Sequence, residues 1–267
     1  MKKRWMVKPG GKVDLDRIDP ASSGGLKGGR AEADAALDSH LEKLSQLQDR
    51  LWAEASRSLL VVLQGIDASG KDGTIKHVFQ GVNPQATRVT SFKEPTKEEL
   101  AHDFLWRVHR AMPSAGEIGI FNRSHYEDVL AVRVRHLLPE SVWRPRFAQI
   151  ADFERMLVAG GTTIVKLCLL ISKDEQKRRL KERLATPSKR WKFRRSDLDD
   201  RALWDDYRSA YNEAIAKTAG DATPWYVIPA DHKWYRNWAV SNILIETLQE
   251  MDPQYPDPPD LRGIRIV

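Results

Sequence analysis

The sequence predicts an α/β domain in which a parallel sheet of five strands is covered by helices on both faces. Strand-length apolar runs recur at residues 59–64, 87–92, 117–121, 163–171 and 225–228. Each is nearly uniform rather than alternating, as strands buried on both faces are. Segments of helical length separate them, and that alternation is the pattern of parallel strands joined by crossovers. A third observation marks the ligand edge of the sheet. The first run leads directly into Gly65-Ile66-Asp67-Ala68-Ser69-Gly70-Lys71-Asp72-Gly73-Thr74, a glycine-bounded loop and the start of a helix.

Taken in order, residues 8–30 are rich in Gly, Pro, Ser and Asp and predict an irregular arm. Leu37, Leu41, Leu44, Leu47 and Leu51 recur at three- and four-residue steps, predicting a helix from Ala31 to Ser56. Further helices are expected over 73–80, 96–111, 124–137, 139–159, 173–185, 197–218 and 233–251, with an extended tail from Pro253 to Pro259. No internal repeat is visible and no linker follows residue 58. The expected organisation is an arm and helix over 1–57 packed on the core, one domain over 58–252, and a tail over 253–267.

The 267 residues, 41% hydrophobic and 30% charged, suit a globular enzyme with a sizeable core. No apolar run approaches the ~18 residues that would suggest a membrane span. The basic start Met1-Lys2-Lys3-Arg4-Trp5 lacks the apolar stretch of a signal peptide. A single cysteine, Cys168, excludes an internal disulfide. The expected setting is the cytoplasm, with no membrane partner. Seven histidines include no His-x-x-x-His spacing, so no zinc site is expected. Trp204, Trp234 and Trp238 fall on helical stretches and suit core or interface packing.

Charge is concentrated. Residues 177–195 carry ten Lys or Arg and one Glu, a net +9 against +6 for the whole chain, which leaves −3 elsewhere. Such a segment expects a polyanion. Its first half suits a solvated helix face. Its second half, Thr186 to Phe193, breaks the helix and interleaves bases with Trp191 and Phe193. That half reads as a basic lid over phosphates, as a nucleic-acid groove, or as a lid whose aromatics pack it onto the body.

The loop after the first strand carries the chemistry. Gly65, Ala68, Ser69, Gly70, Gly73 and Thr74 offer backbone N–H groups to phosphate, the helix start adds positive potential, and Lys71 adds a full charge. Asp72 stands where Ser or Thr usually holds magnesium. A second loop follows Phe121, with Asn122 where a magnesium-binding Asp is usual, then Arg123-Ser124-His125-Tyr126-Glu127-Asp128. Arg123 suits a phosphate clamp. Glu127 and Asp128 are positioned as metal ligands, or else Asn122 and Ser124 simply cap a helix whose first turn is acidic. Both loops fall beyond the carboxyl ends of strands, where ligands of such sheets bind.

With these segments, with Lys189-Arg190-Trp191-Lys192-Phe193, and with Pro224-Trp225-Tyr226-Val227-Ile228-Pro229-Ala230, the chain resembles the polyphosphate kinase 2 family over nearly all of its length after the first thirty residues. The resemblance implies a three-layer α/β/α P-loop kinase fold, thymidylate-kinase-like, with a mobile basic lid at about residues 177–200. It implies reversible, magnesium-dependent transfer of a terminal phosphate from inorganic polyphosphate to a nucleotide. Asn122-Arg123 and Glu127-Asp128, in place of Asp-Arg and Asn-Arg, look like class III, whose members accept nucleoside mono- and diphosphates. Catalytic roles are expected for Asp67, Lys71, Asp72, Asn122, Arg123, Glu127 and Asp128. Asp67 and Asp72 are the first candidates to hold Mg²⁺, then Glu127 and Asp128. Arg183, Lys189, Arg190 and Lys192 are expected to meet polyphosphate from the lid. The expected partners are polyphosphate, adenine and by extension guanine nucleotides, and further copies of the chain in a dimer or tetramer, with no nucleic acid. The rival readings are an ATP-dependent nucleoside monophosphate kinase and a non-catalytic nucleotide- or nucleic-acid-binding protein.

Overall fold

Five parallel strands in the order β2-β3-β1-β4-β5 form the centre of the molecule. The computed structural model describes residues 2–260, 262 and 264–266. Its elements run α1 (Gly29–Glu54), β1 (Ser58–Gln64), α2 (Lys71–Val78), β2 (Thr87–Ser91), α3 (Lys97–Leu100), α4 (Trp106–His109) and β3 (Ile118–Asn122). They continue with α5 (Ala131–Val134), α6 (Glu140–Trp143), α7 (Arg146–Ala159), β4 (Thr162–Leu170) and α8 (Lys173–Ala185). The last are α9 (Ser196–Ala202), α10 (Trp204–Thr218), β5 (Trp225–Pro229) and α11 (Lys233–Met251). Register pairs Val61 with Ile120 on one side and with Val165 on the other.

The period-two geometry of a strand sorts the apolar run of β1 onto two faces. Leu59, Val61 and Leu63 join one core with Leu44, Leu47 and Leu51 of α1 and Ile243, Leu244 and Leu248 of α11. Leu60 and Val62 join the other with Ile150 and Phe153 of α7 and Ala214 and Ile215 of α10. Every residue of β1 is buried, which is why the run shows no alternation. Helices thus cover both faces of the sheet, giving three layers. Among the described residues no helix is long and apolar enough to cross a membrane.

Several expected helices are broken, most by a local hydrogen bond or a proline. The stretch 96–111 holds two single turns: Thr96 and Glu99 form a capping box for the first, and Asp103 accepts from Leu105 N at 2.9 Å before the second. In 124–137, Ser124 Oγ accepts from Tyr126 N at 3.1 Å and starts a 3₁₀ turn over His125–Asp128, leaving only α5 as helix. Pro145 divides α6 from α7, as a residue without an N–H must. Leu203 separates α9 from α10. Short side chains that bond their own backbone compete with helix, and apolar periodicity does not register that competition.

The N-terminal segment covers the edge of the sheet. Val7 N donates to Trp225 O at 2.9 Å and Val227 N to Trp5 O at 2.8 Å, so the free side of β5 is paired. Trp5 packs edge-on against Trp238 at 5.7 Å between ring centroids. Farther along, Leu15–Arg17 form a 3₁₀ turn in the expected irregular stretch, with Leu15 buried.

One polar cluster lies wholly inside. Lys166, in the middle of β4, donates to Glu154 Oε2 at 2.5 Å, to Tyr126 OH at 3.1 Å and to Thr218 O at 2.7 Å. Glu154 also accepts from Tyr126 OH at 2.8 Å and lies 3.2 Å from His125 Nε2. Burial alone would raise the Glu154 carboxyl, but Lys166 and His125 outweigh it and hold it below its usual range. Replacing Lys166 with Met strands that carboxylate, at an expected cost of about 3–5 kcal/mol. The double variant K166M/E154L is expected to recover most of the loss in urea denaturation, since apolar residues commonly replace a buried pair without penalty.

Candidate active site

The carboxyl ends of β1 and β3 stand side by side, with Leu63 paired to Asn122. The two loops singled out in the sequence therefore leave the sheet as neighbours. The first turns sharply: Gly65, Ala68 and Gly70 all have positive φ, at 145°, 65° and 108°. Gly65 is required twice over. A Cβ there would lie 2.6 Å from Leu169 O and 2.7 Å from Ser69 Oγ, at a φ that side-chain-bearing residues avoid. Ser69 and Thr74 are fully buried, so from them the loop presents backbone. Tyr211 OH accepts from Gly65 N at 3.0 Å, and Arg179 Nη1 donates to Ala68 O and Ser69 O, each at 2.9 Å. Those contacts clamp the loop from α10 and α8.

Lys71 opens α2 and folds back to donate to Gly65 O at 2.6 Å. Burial first, and the nearby Arg123 second, lower its pKa to about 8. Arg123 has a φ of 62°, an unusual conformation for a side-chain-bearing residue, and its N–H is tied to Leu63 O at 3.0 Å. Its guanidinium meets Asp67 at 2.5 Å and Glu127 at 3.9 Å. Burial opposes ionisation of Asp67, but Arg123 and Lys71 outweigh it and hold that carboxyl low. Glu127 moves the other way: burial raises it more than Arg123 and Lys71 lower it. With its amide oriented to satisfy its neighbours, Gln64 donates to Glu127 Oε1 at 3.1 Å. Asp67, Lys71, Arg123 and Glu127 thus form one compact group.

Asp72 and Asn122 form a second group at the rim, joined by a 2.8 Å hydrogen bond from Asn122 Nδ2. Lys192 reaches Asp72 at 3.4 Å from the basic segment, which is how that segment touches the phosphate loop. The other three expected lid contacts are engaged within or beside the segment. Arg183 faces Asp197 at 3.4 Å, Lys189 meets Glu182 at 2.5 Å and Arg190 donates to Leu184 O at 2.9 Å. Trp191 is 76% exposed, so it does not pack the lid onto the body. Asp128 is turned away toward Arg146, at 3.2 Å, and Arg107, at 3.6 Å. His125, open in the sequence to a surface, capping or acid–base role, is fully buried against Glu154.

Residues that sequence reasoning passed over complete the picture. The chain returning from the lid brings Asp197 and Asp200 toward Asp67: burial first and the Asp67 charge second push the Asp197 carboxyl up. Asp200 is gripped by Arg135 at 2.9 and 2.5 Å and by Tyr207 OH at 3.0 Å. Lys166 left a visible signal, a cation in the middle of an apolar strand. Arg179 left none, being one of ten cations in a basic run. Among the described residues no three His, Cys, Asp or Glu side chains group to hold a metal by themselves.

A buried lysine on a glycine loop, an arginine from the adjoining strand end, and a cationic segment meeting that loop at Asp72 are parts a P-loop phosphotransferase uses. Residues 28–256 match the family Polyphosphate kinase 2 (PPK2), and the chain belongs to it. It is 55% identical over 256 residues to an AMP/ADP-polyphosphate phosphotransferase of Meiothermus ruber, covering 96% of each chain. An ADP-polyphosphate phosphotransferase of Rhodopseudomonas palustris is 41% identical over 271 residues, covering 96% of this chain and 92% of that one. The crystal structure of polyphosphate kinase 2 from Arthrobacter aurescens TC1 superposes with a TM-score of 0.93 at 42% identity, over 99% of this chain and 93% of that one.

Lys71 sets an expected pH dependence. If Lys71 binds phosphate it does so as the cation, the form present below its pKa, so kcat/KM is expected to fall as pH rises through about 8. The limb belongs to the free enzyme, and bound phosphate, by favouring the cation, displaces it upward in kcat. A kcat/KM profile over pH 6 to 10 that stayed flat would contradict this charge state for Lys71.

Proposed function

We propose that the protein transfers the terminal phosphoryl group of inorganic polyphosphate to AMP and to ADP, reversibly. The observation that carries this reading is the Asp67–Lys71–Arg123–Glu127 group, with a cationic segment meeting the neighbouring Asp72 through Lys192. The names of the two relatives support the donor, and the M. ruber name supports both acceptors.

Lys71 and Arg123 would hold the transferring phosphoryl group between donor and acceptor, with the loop N–H groups on the donor side. Unit charges of like sign at about 4 Å repel by roughly 4 kcal/mol at an effective dielectric near 20, so the site must offset several such terms. Asp67, Asp72 and Glu127 supply hard oxygen donors close to where phosphates would sit. Mg²⁺ is normally held by one or two carboxylates with phosphate and water completing its shell, a number these acids can supply. When bound, the ion would neutralise charge on the phosphates being brought together. Asp67 is the proposed first ligand and Asp72 the second, with Glu127 next. Asp128, engaged by two arginines, is the least available of the four. An acceptor phosphate is ionised at neutral pH and needs no base, which agrees with His125 lying in the core.

The exposed Lys189, Arg190 and Trp191 of the lid suit a long, flexible polyanion better than a compact nucleoside triphosphate. A cytoplasmic setting and a homo-oligomer, dimer or tetramer, belong to the same proposal, and light scattering on the purified protein tests the latter. With Mg²⁺ and polyphosphate, AMP is expected to become ADP and then ATP, with GMP and GDP run alongside. Phosphorylation of AMP by ATP but not by polyphosphate would favour a nucleoside monophosphate kinase instead. Lys71→Ala and Arg123→Ala are each expected to lower kcat by about 10²–10³, the scale of losing one preorganised charge-stabilising group, with the fold intact by circular dichroism. Near-normal turnover in either variant would rule out the proposed geometry.

A further inference from the structure

Beneath the phosphate loop, α11 delivers a guanidinium that the chemistry above leaves unused. Arg236 is only 2% exposed. A Cβ on Gly70 would lie 1.9 Å from its Nη1, and one on Gly73 would lie 3.2 Å from its Nη2. The cation therefore rests on bare backbone at the end of the loop and the first turn of α2, in space that only glycine leaves open. Its side-chain hydrogen bonds go to Asn237 Oδ1, at 3.2 Å from Nε and 2.8 Å from Nη2. Among the described residues it forms no ion pair, and Nη1, the nitrogen nearest Gly70, has no protein partner while not being sealed from solvent.

Its surroundings make this unusual. The neighbouring Arg179 is fully engaged, with Glu175 at 2.7 Å and the carbonyls of Ala68, Ser69, Ala230 and Asp231. The role of bracing the loop is thus already filled. Burial first and Arg179 second pull the Arg236 pKa down to about 9, with no carboxylate acting in the other direction. Nearby His77 is lowered by burial and then by Lys76, Arg236 and Lys233, so positive charge accumulates on this side of α2. A buried cation without a counter-ion is costly. The cost has a use where an anion arrives later: in a poorly hydrated site a fixed charge acts at full strength and needs no reorganisation.

We propose that Arg236 is an electrostatic positioning residue whose counter-charge is the phosphate chain bound in the loop above it. It strengthens phosphate binding from beneath, through Gly70 and Gly73, without touching substrate. The inference rests on the polyphosphate-donor reading.

Inorganic tripolyphosphate is the probe, with Kd from calorimetry and Tm from thermal unfolding for wild type, Arg236→Met and Arg236→Lys. Without ligand, the methionine variant is expected to melt at or above the wild-type temperature, because an uncompensated buried charge has gone. Its Kd is expected to rise about tenfold, and that rise should persist at about 0.5 M salt, since buried charges are screened far less than exposed ones. The lysine variant, which keeps the charge, should bind within about threefold of wild type. If the methionine variant does not fold, Arg236→Gln, which retains an amide donor for Asn237, takes its place with the same readouts. Unchanged affinity overturns the inference. So does a neutral variant that melts below wild type, which would make Arg236 a packing residue. Failure of the wild type to bind tripolyphosphate would instead sink the donor reading.

Discussion

A site that gathers phosphates must keep cations charged and fixed in a place where water has been largely removed, and the rest of this structure answers to that demand. In the proposed reading, Lys71 and Arg123 are those cations. Each is disfavoured by burial, and each also lowers or raises its neighbours. The protein holds Lys71 on the Gly65 carbonyl and Arg123 on Asp67, so neither waits as a bare charge. That arrangement needs the loop to curl, which requires glycine at Gly65 and Gly70. It also needs β1 and β3 to end together, which the parallel pairing of Leu63 with Asn122 provides.

Support comes from several distant elements. Arg179 of α8 and Tyr211 of α10 each fasten the phosphate loop. The Lys166–Glu154 pair holds Tyr126, three residues after Arg123, from β4 and α7. A buried pair of this kind adds little net stability over apolar residues. It does restrict where the 3₁₀ turn after Arg123 can sit, because Tyr126 has its hydroxyl satisfied there. The lid is joined to the same machinery by weaker, half-exposed contacts, chiefly Lys192 with Asp72. Exposed pairs contribute little stability, so this contact holds the segment only weakly.

How much of this was legible from the chain alone depended on whether the signal was contiguous. The apolar runs, the loop at 65–74 and the segment after Phe121 each lie within about ten consecutive residues, and backbone preference and burial pattern act at that range. The five strands and their common ligand edge followed from those signals. Helix continuity did not, because Asp103, Ser124 and Pro145 interrupt periodic stretches through caps or a missing N–H, which apolar spacing ignores.

The sequence by itself determined the parallel α/β scaffold, the phosphate loop and the arginine beside it, since each is a local pattern with one structural solution. Tertiary structure alone decided which acid faces which cation. Glu127 and Asp128 are adjacent in the chain, yet one turns to Arg123 and the other to Arg107 and Arg146. His125 went to the core because Glu154, 29 positions away, was there to receive it. Arg236 sits against Gly70 because α11 packs on α2. Such pairings are set by where crossovers place distant elements, and no window of neighbouring residues contains that information.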